Sequence, residues 1–231
     1  MIARHPLPLL TNEVPRIELT QEQSMVLLQD IHRPFADAQT GQLALHAQEK
    51  VLMREFDEYF QALELGAPNI SRVLSTAREL SLHVAFSCLG CRPPMITPSA
   101  FQRAAGWLWE LDTVENAFSS DWRPLPNEPI FVKPGWGALA TPQFVQHLEK
   151  MGISNVILLG TMFEFGIRQS AQALADLGIG VLVVSDGVVA LTQAGEKQAR
   201  GELAHGLIKL RTTAELLDLL ERLLTEEAVL V

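Results

Sequence analysis

The chain has 231 residues, 48% of them apolar and 19% charged, with a formal net charge of −9. That balance suits a compact chain with a substantial core and excludes a disordered one. An acidic sequence without clustered Lys and Arg argues against nucleic acid as a partner, no apolar run is long enough to cross a bilayer, and two cysteines make no disulfide framework.

Residues 1–20 are rich in proline and polar groups and read as a surface arm, with a short extended piece at 16–19. The opening Met1-Ile-Ala-Arg-His-Pro lacks the apolar core of a signal peptide, so a cytoplasmic location with free thiols is expected. Residues 25–29, Met-Val-Leu-Leu-Gln, form a first buried strand. Asp30-Ile-His-Arg-Pro-Phe follows, with Pro34 stopping any regular continuation. Residues 38–66 are a partly helical excursion in which Leu45, Val51, Leu52, Phe56, Phe60 and Leu63 recur near helical spacing. A clear helix is expected over 68–80, since proline is favourable near a helix start.

Residues 82–86 form a second strand. A loop over 87–105 with Pro93, Pro94 and Pro98 leads into a stretch with Trp107 and Trp109. A third strand spans 130–133, and a helix over 142–151 is closed by Gly152. Residues 155–160, Asn-Val-Ile-Leu-Leu-Gly, read as a strand buried on both faces. It breaks at Gly160 and passes through Gly166 into a helix with Ala171, Leu174 and Leu177 toward the core. A fifth strand over 180–185, a helix over 196–205, a sixth strand over 207–210 and a helix over 213–224, capped by Thr213, complete the chain. This alternation predicts right-handed crossovers. The fold class is therefore α/β, a three-layer sandwich with a six-stranded, mainly parallel sheet flanked by helices, in one domain over 1–231.

Asp30, Lys133 and the turn from Gly160 to Gly166 all fall at carboxyl ends of strands. In an open parallel sheet, ligands bind in the crevice beyond those ends. A charge directly after a buried run must be solvated, paired or functional. From the residues alone, an Asp30–Lys133 ion pair that merely closes the sheet and a catalytic pair are both open.

Four segments in order carry a resemblance. They are Val26-Leu-Leu-Gln-Asp30-Ile-His-Arg-Pro-Phe35, Phe131-Val-Lys133-Pro-Gly-Trp136, Gly160-Thr-Met-Phe-Glu-Phe-Gly166-Ile and Val183-Val-Ser-Asp186-Gly-Val-Val-Ala190. Together they resemble the isochorismatase-like hydrolase superfamily, from about Ser24 to Leu220. The resemblance implies that Asp30, Lys133 and position 166 are the catalytic positions. Most members carry a nucleophilic cysteine where this chain has Gly166. A cysteine at a helix start is a good nucleophile because the dipole favours thiolate, and glycine closes that route. The chain is similar to the branch that also lacks the cysteine and cleaves a vinyl ether. There, a protonated aspartate delivers a proton to carbon, water adds to the oxocarbenium carbon, and the hemiketal collapses to pyruvate and an alcohol. Gly166 would then leave room for ligand and water and turn its amide toward an anion. The resemblance also implies a cis peptide bond at Thr161–Met162.

Candidate substrate-binding residues are His32, Phe35, Trp136, Thr161, Met162, Phe163 and Arg92. His32 stands where the family usually has glutamine. It could hold a proton or a substrate group, or bond only to backbone. Arg92, Arg103 and Arg168 are carboxylate clamps or surface residues. Phe35, Trp107, Trp109, Trp136, Met162 and Phe163 are pocket walls or plain core. Glu164 reads as a helix cap. Cys88 and Cys91 lack further zinc ligands and read as free thiols, with Cys88 as a possible displaced nucleophile. His46 and His83 do not reproduce the family's metal pattern, so no metal and no cofactor are expected. The leading functional expectation is acid-catalysed cleavage of a small anionic or cyclic metabolite by Asp30. The alternatives are a catalytically silent member that binds a small ligand or protein partner, and an amidase with a relocated nucleophile. A homo-oligomer, dimer or tetramer, is expected.

Overall fold

The structure, a computed structural model, describes residues 16–49, 53–203 and 206–231. Its strands are β1 (Glu18–Leu19), β2 (Ser24–Gln29), β3 (His83–Leu89), β4 (Ile130–Lys133), β5 (Asn155–Thr161), β6 (Gly180–Val189), β7 (Ile208–Arg211) and β8 (Val229–Leu230). The helices are α1 (Arg33–Ala36), α2 (Gln42–Glu49), α3 (Met53–Glu79), α4 (Ala100–Ala105), α5 (Pro142–Met151), α6 (Arg168–Asp176), α7 (Gln193–Leu203) and α8 (Thr213–Arg222). β4-β3-β2-β5-β6-β7 form one six-stranded sheet, parallel throughout. β1 and β8 pair antiparallel as a separate ribbon.

The alternation of side chains along each strand divides the interior into two layers. Val26, Leu28, Val84, Ile157 and Leu182 face α3 and α8. Met25, Leu27, Ala85, Val156 and Val181 share the opposite face with Phe144 and Leu148 of α5, Ala171 and Leu174 of α6, and Ala199 and Leu203 of α7. The central strands β2 and β5 are buried on both faces along their whole length, which is why they read as unbroken apolar runs. The chain leaves β2 for β3 and β4 on one side, then returns to β5 on the other. The sheet therefore has its switch point between the carboxyl ends of β2 and β5, where Asp30 and the turn after Thr161 lie.

Several expectations are corrected. Pro68 lies inside α3, a helix of 27 residues, not at a helix start. Tyr59, Leu63, Ile70, Val73, Leu74 and Ala77 make one buried stripe along α3. That burial, at roughly 1.5–3 kcal/mol per large side chain, outweighs the roughly 3 kcal/mol that an interior proline costs. Val51 and Leu52, and the expected end at His205 of the helix over 196–205, lie outside the described residues. β3 continues through Ser87, Cys88 and Leu89 because both neighbours offer partners, with Ser87 beside Gln29 and Leu89 beside Lys133. The expected loop after it contains α4, whose start is fixed by a reciprocal Ser99–Gln102 capping box. β6 runs on to Val189 across a register irregularity opposite β5. Leu177 is exposed rather than in the core. The cap of α8 is Thr212, in a capping box with Glu215, and not Thr213. Thr213 instead donates its amide and its hydroxyl to the Asp186 carboxylate. Among the described residues, no helix is long and apolar enough to cross a membrane.

Candidate active site

Asp30 follows directly on β2 with φ 54°, a left-handed conformation that aspartate tolerates better than most residues. Neighbours on both sides hold it there. Its amide donates to Ser87 O at 2.8 Å, and its carbonyl accepts the Thr161 hydroxyl at 2.9 Å. One carboxylate oxygen, Oδ2, accepts from Lys133 Nζ at 2.6 Å, and the other, Oδ1, accepts the Leu89 amide at 2.6 Å. Lys133 ends β4 and spends its remaining protons on Trp136 O at 2.8 Å and Gly135 O at 3.3 Å. Its donors therefore all reach protein acceptors. Asp30 is 1% exposed and Lys133 0%. Burial pushes the Asp30 carboxyl above its ordinary range. The Lys133 charge and the hydrogen bonds from Lys133, Leu89 and Gln29 pull it back without cancelling the rise.

Gly166 lies close to this pair, in the first turn of a helical run, and is buried. The Thr161–Met162 peptide bond is cis. A π-helical turn over Phe163–Ile167 follows and runs directly into α6, so Gly166 is buried inside a continuous helical run. A Cβ on Gly166 would stand 2.3 Å from Gln29 Nε2, 2.9 Å from Trp136 O and 3.4 Å from Asp30 Oδ2. The expected room for ligand and water beside it is taken by the Gln29 side chain. Gly160 is needed for a similar reason, since at φ 114° its Cβ would stand 2.0 Å from Gln29 O. The sequence reading missed Gln29 and Ser170. A polar side chain at the last position of a wholly buried strand must find hydrogen bonds, and that was the available signal.

His32 is fully buried, and neither ring nitrogen has a hydrogen-bond partner. Burial, reinforced by the Lys133 charge and only partly offset by the Leu89 backbone, pushes its imidazole down to about 3, so it is neutral. It packs edge-on against Phe35 and Trp109 and tilted against Phe118. Phe35 in turn meets Trp107, Trp107 stacks on Trp109, and Trp136 stacks on Phe165 at 5.2 Å. Trp107, Trp136 and Phe165 are half-buried. Asp30 and Lys133 are themselves sealed from solvent, so a ligand reaches them only if neighbouring side chains move. An open cleft of about 680 Å³ lies elsewhere, beyond the end of β6, lined by Glu58, Asn69, Asp186, Glu196 and Arg200 among others. It contains none of the predicted site residues.

Phe35, Thr161, Met162 and Phe163 are buried around the switch point. Arg92 is not brought there: it is exposed and paired with Asp112 at 3.0 Å. Arg168 pairs with Glu202 at 2.7 Å, and Arg103 bonds Pro98 O. Arg200 lies over the Phe163 ring at 5.7 Å. The Glu164 carboxylate accepts the Leu191 and Thr192 amides just before α7, so it ties the turn after β6 and does not cap its own helix, while the Thr192 hydroxyl caps α7 by accepting the Gly195 amide. Cys88 and Cys91 are free and buried. Burial pushes the Cys88 thiol up to about 12, which leaves no thiolate for attack.

In an open parallel α/β sheet the switch point, where this buried acid–ammonium pair lies, is where ligands bind. The comparisons narrow that reading. A model of the isochorismatase domain matches residues 42–215, a range that includes Lys133 and Gly166 and begins twelve residues after Asp30. The chain belongs to the isochorismatase family. Its fold is similar to that of a cysteine hydrolase from Pseudomonas syringae pv. phaseolicola, with a TM-score of 0.71 and 14% identity over 92% of this chain and 99% of that one. It is also similar to an isochorismatase family protein from Desulfovibrio vulgaris, with a TM-score of 0.70 and 18% identity over 87% and 100%. A third likeness is to a pyrazinamidase of Pyrococcus horikoshii in complex with zinc, with a TM-score of 0.59 and 17% identity over 82% and 99%. No curated protein matches the chain.

Proposed function

We propose that the chain is a hydrolase working without a covalent enzyme intermediate, with Asp30 as a general acid on a small anionic or cyclic metabolite. The observation that carries this reading is the Asp30 carboxyl itself. It is sealed from water, raised by burial, and stands within 3.4 Å of the position where a nucleophilic side chain would begin but none does. The concrete form is cleavage of a vinyl ether. Asp30 gives its proton to the methylene carbon, whose π electrons form the new C–H bond, leaving an oxocarbenium carbon. Water adds there and returns a proton to the carboxylate. The hemiketal then breaks its bond to the ring oxygen, releasing pyruvate and an alcohol. Lys133 holds the Asp30 carboxylate and the Trp136 turn in place. Pyruvate release from isochorismate tests the reading: the wild type turns over, and Asp30→Asn loses at least about 10²-fold, the usual share of a general acid.

A second reading is a family member that binds a ligand or a protein partner without turnover. It is favoured by one observation: Asp30, Lys133 and His32 are all sealed, and the donors of Lys133 are occupied by the protein. Tight ligand binding retained in Asp30→Asn, with no turnover by the wild type over a broad panel, would favour it over the first.

A further inference from the structure

Gln29 is the last residue of β2, fully buried, with a side chain on the same face as Ser170 of α6. Its hydrogen bonds fix which end of the amide points where. Ser170 Oγ accepts the Ala138 amide at 2.8 Å, so its own proton goes to Gln29 Oε1, at 2.6 Å. Trp136 O can only accept, so Gln29 Nε2 faces it, at 3.2 Å. Lys133 Nζ donates to that same carbonyl at 2.8 Å and to Asp30 Oδ2 at 2.6 Å. An unbroken chain of donors and acceptors thus runs from α6 through Gln29 and the Trp136 turn to the Asp30–Lys133 pair. The space that Gln29 Nε2 fills is the space a side chain on residue 166 would need, 2.3 Å from its Cβ. Because the amide is tied at both ends, it cannot step aside without breaking buried hydrogen bonds.

We propose that Gln29 is a positioning residue for the Asp30–Lys133 pair and that its side chain, together with the Trp136 carbonyl it bonds, is the reason position 166 carries none. The thiol route of the family is then closed by two residues acting together. Gln29 fills the volume a side chain at 166 would need and anchors the Trp136 turn to which Lys133 also donates. This rests on the reading of Asp30 and Lys133 as the working pair, but its tests use no substrate, so a failure of turnover leaves them untouched.

The first test is a double-mutant cycle of Gly166→Ala and Gln29→Ala, read by urea unfolding. Gly166→Ala lowers the folding equilibrium constant at least tenfold more in the wild-type background than in Gln29→Ala. Equal effects in the two backgrounds would overturn the proposal. If Gly166→Ala alone does not fold, the double variant must fold for the proposal to stand. The second test is a carbon-13 NMR titration of the Asp30 carboxyl in the wild type, Gln29→Leu and Ser170→Ala. The other titratable groups that sense the pair or its members are Cys88 of β3, Tyr59 of α3 and His32. Both variants move the Asp30 midpoint upward, because the Gln29 amide that favours the charged carboxylate is lost or disoriented. A core filler would lower stability and leave that midpoint where it was, which would refute the positioning role. Ser170→Ala carries this arm if Gln29→Leu does not fold.

Discussion

Lys133→Met removes the cation from a pair that is wholly out of water and strands Asp30 with only the Leu89 amide and Gln29 for company. Removing one partner of a buried, hydrogen-bonded ion pair costs about 3–5 kcal/mol. For a chain of this size, 1 kcal/mol moves the midpoint by about 2–4 °C, so the expected drop in Tm is about 6–20 °C. The pH dependence carries more information than the drop. Asp30 has its carboxyl raised above its ordinary 3.8 by burial, and loss of Lys133 raises it further. The native state then keeps a proton that the unfolded chain gives up above about pH 4, so stability falls as pH rises through the native carboxyl's titration. The deficit of Lys133→Met is accordingly smaller at pH 5 than at pH 8. Urea unfolding of both proteins at the two pH values measures it. A deficit under about 1 kcal/mol, or one that does not change with pH, would refute the reasoning that this pair is an isolated buried charge system.

Further outcomes follow from neighbouring groups. The His32 imidazole is held from 6.5 down to about 3, so the unfolded chain takes up a proton below pH 6.5 that the native state refuses. The stability tied to His32 is complete above 6.5 and declines on acidification, by about 2.7 kcal/mol at pH 4.5 at 1.36 kcal/mol per unit. His32→Leu, which also removes two unpartnered buried nitrogens, flattens that decline in urea unfolding measured from pH 7.5 to 4.5. An undiminished acid slope in the variant would assign the slope to other groups. Native Cys88 resists iodoacetamide at pH 8 and reacts only once the chain is unfolded, as mass spectrometry of the alkylated peptide will show. Rapid labelling in the native state would reopen the reading of a displaced nucleophile.

The parallel sheet was legible because β2 and β5 are buried on both faces and so appear as pure apolar runs, and because α5 carries its own punctuation, Pro142 at its start and Gly152 at φ 66° past its end. Asp30 and Lys133 stood out as charges directly after such runs. What could not be read was decided by tertiary packing. Pro68 signals a helix start locally, yet the buried stripe of α3 carries the helix through it. The extension of β3 to Leu89 depends on β2 and β4 both offering partners. Gly166 was legible as a missing nucleophile but not as a filled position. The residue that fills it, Gln29, is 137 positions away in the chain and reaches it only because β2 and β5 are neighbours. The aromatic cluster of Trp107, Trp109, Trp136 and Phe165 draws on separate segments of the chain, so no spacing rule could assemble it.

The account turns on a proton passing from a carboxylic acid to carbon with no sulfur taking part. Cleavage of isochorismate in heavy water, with the pyruvate methyl group followed by NMR, tests this most directly. Proton delivery through Asp30 predicts pyruvate carrying a single deuterium in its methyl group, formed by the wild type and not by Asp30→Asn. Pyruvate formed at the same rate by Asp30→Asn, or a methyl group free of deuterium, would contradict it.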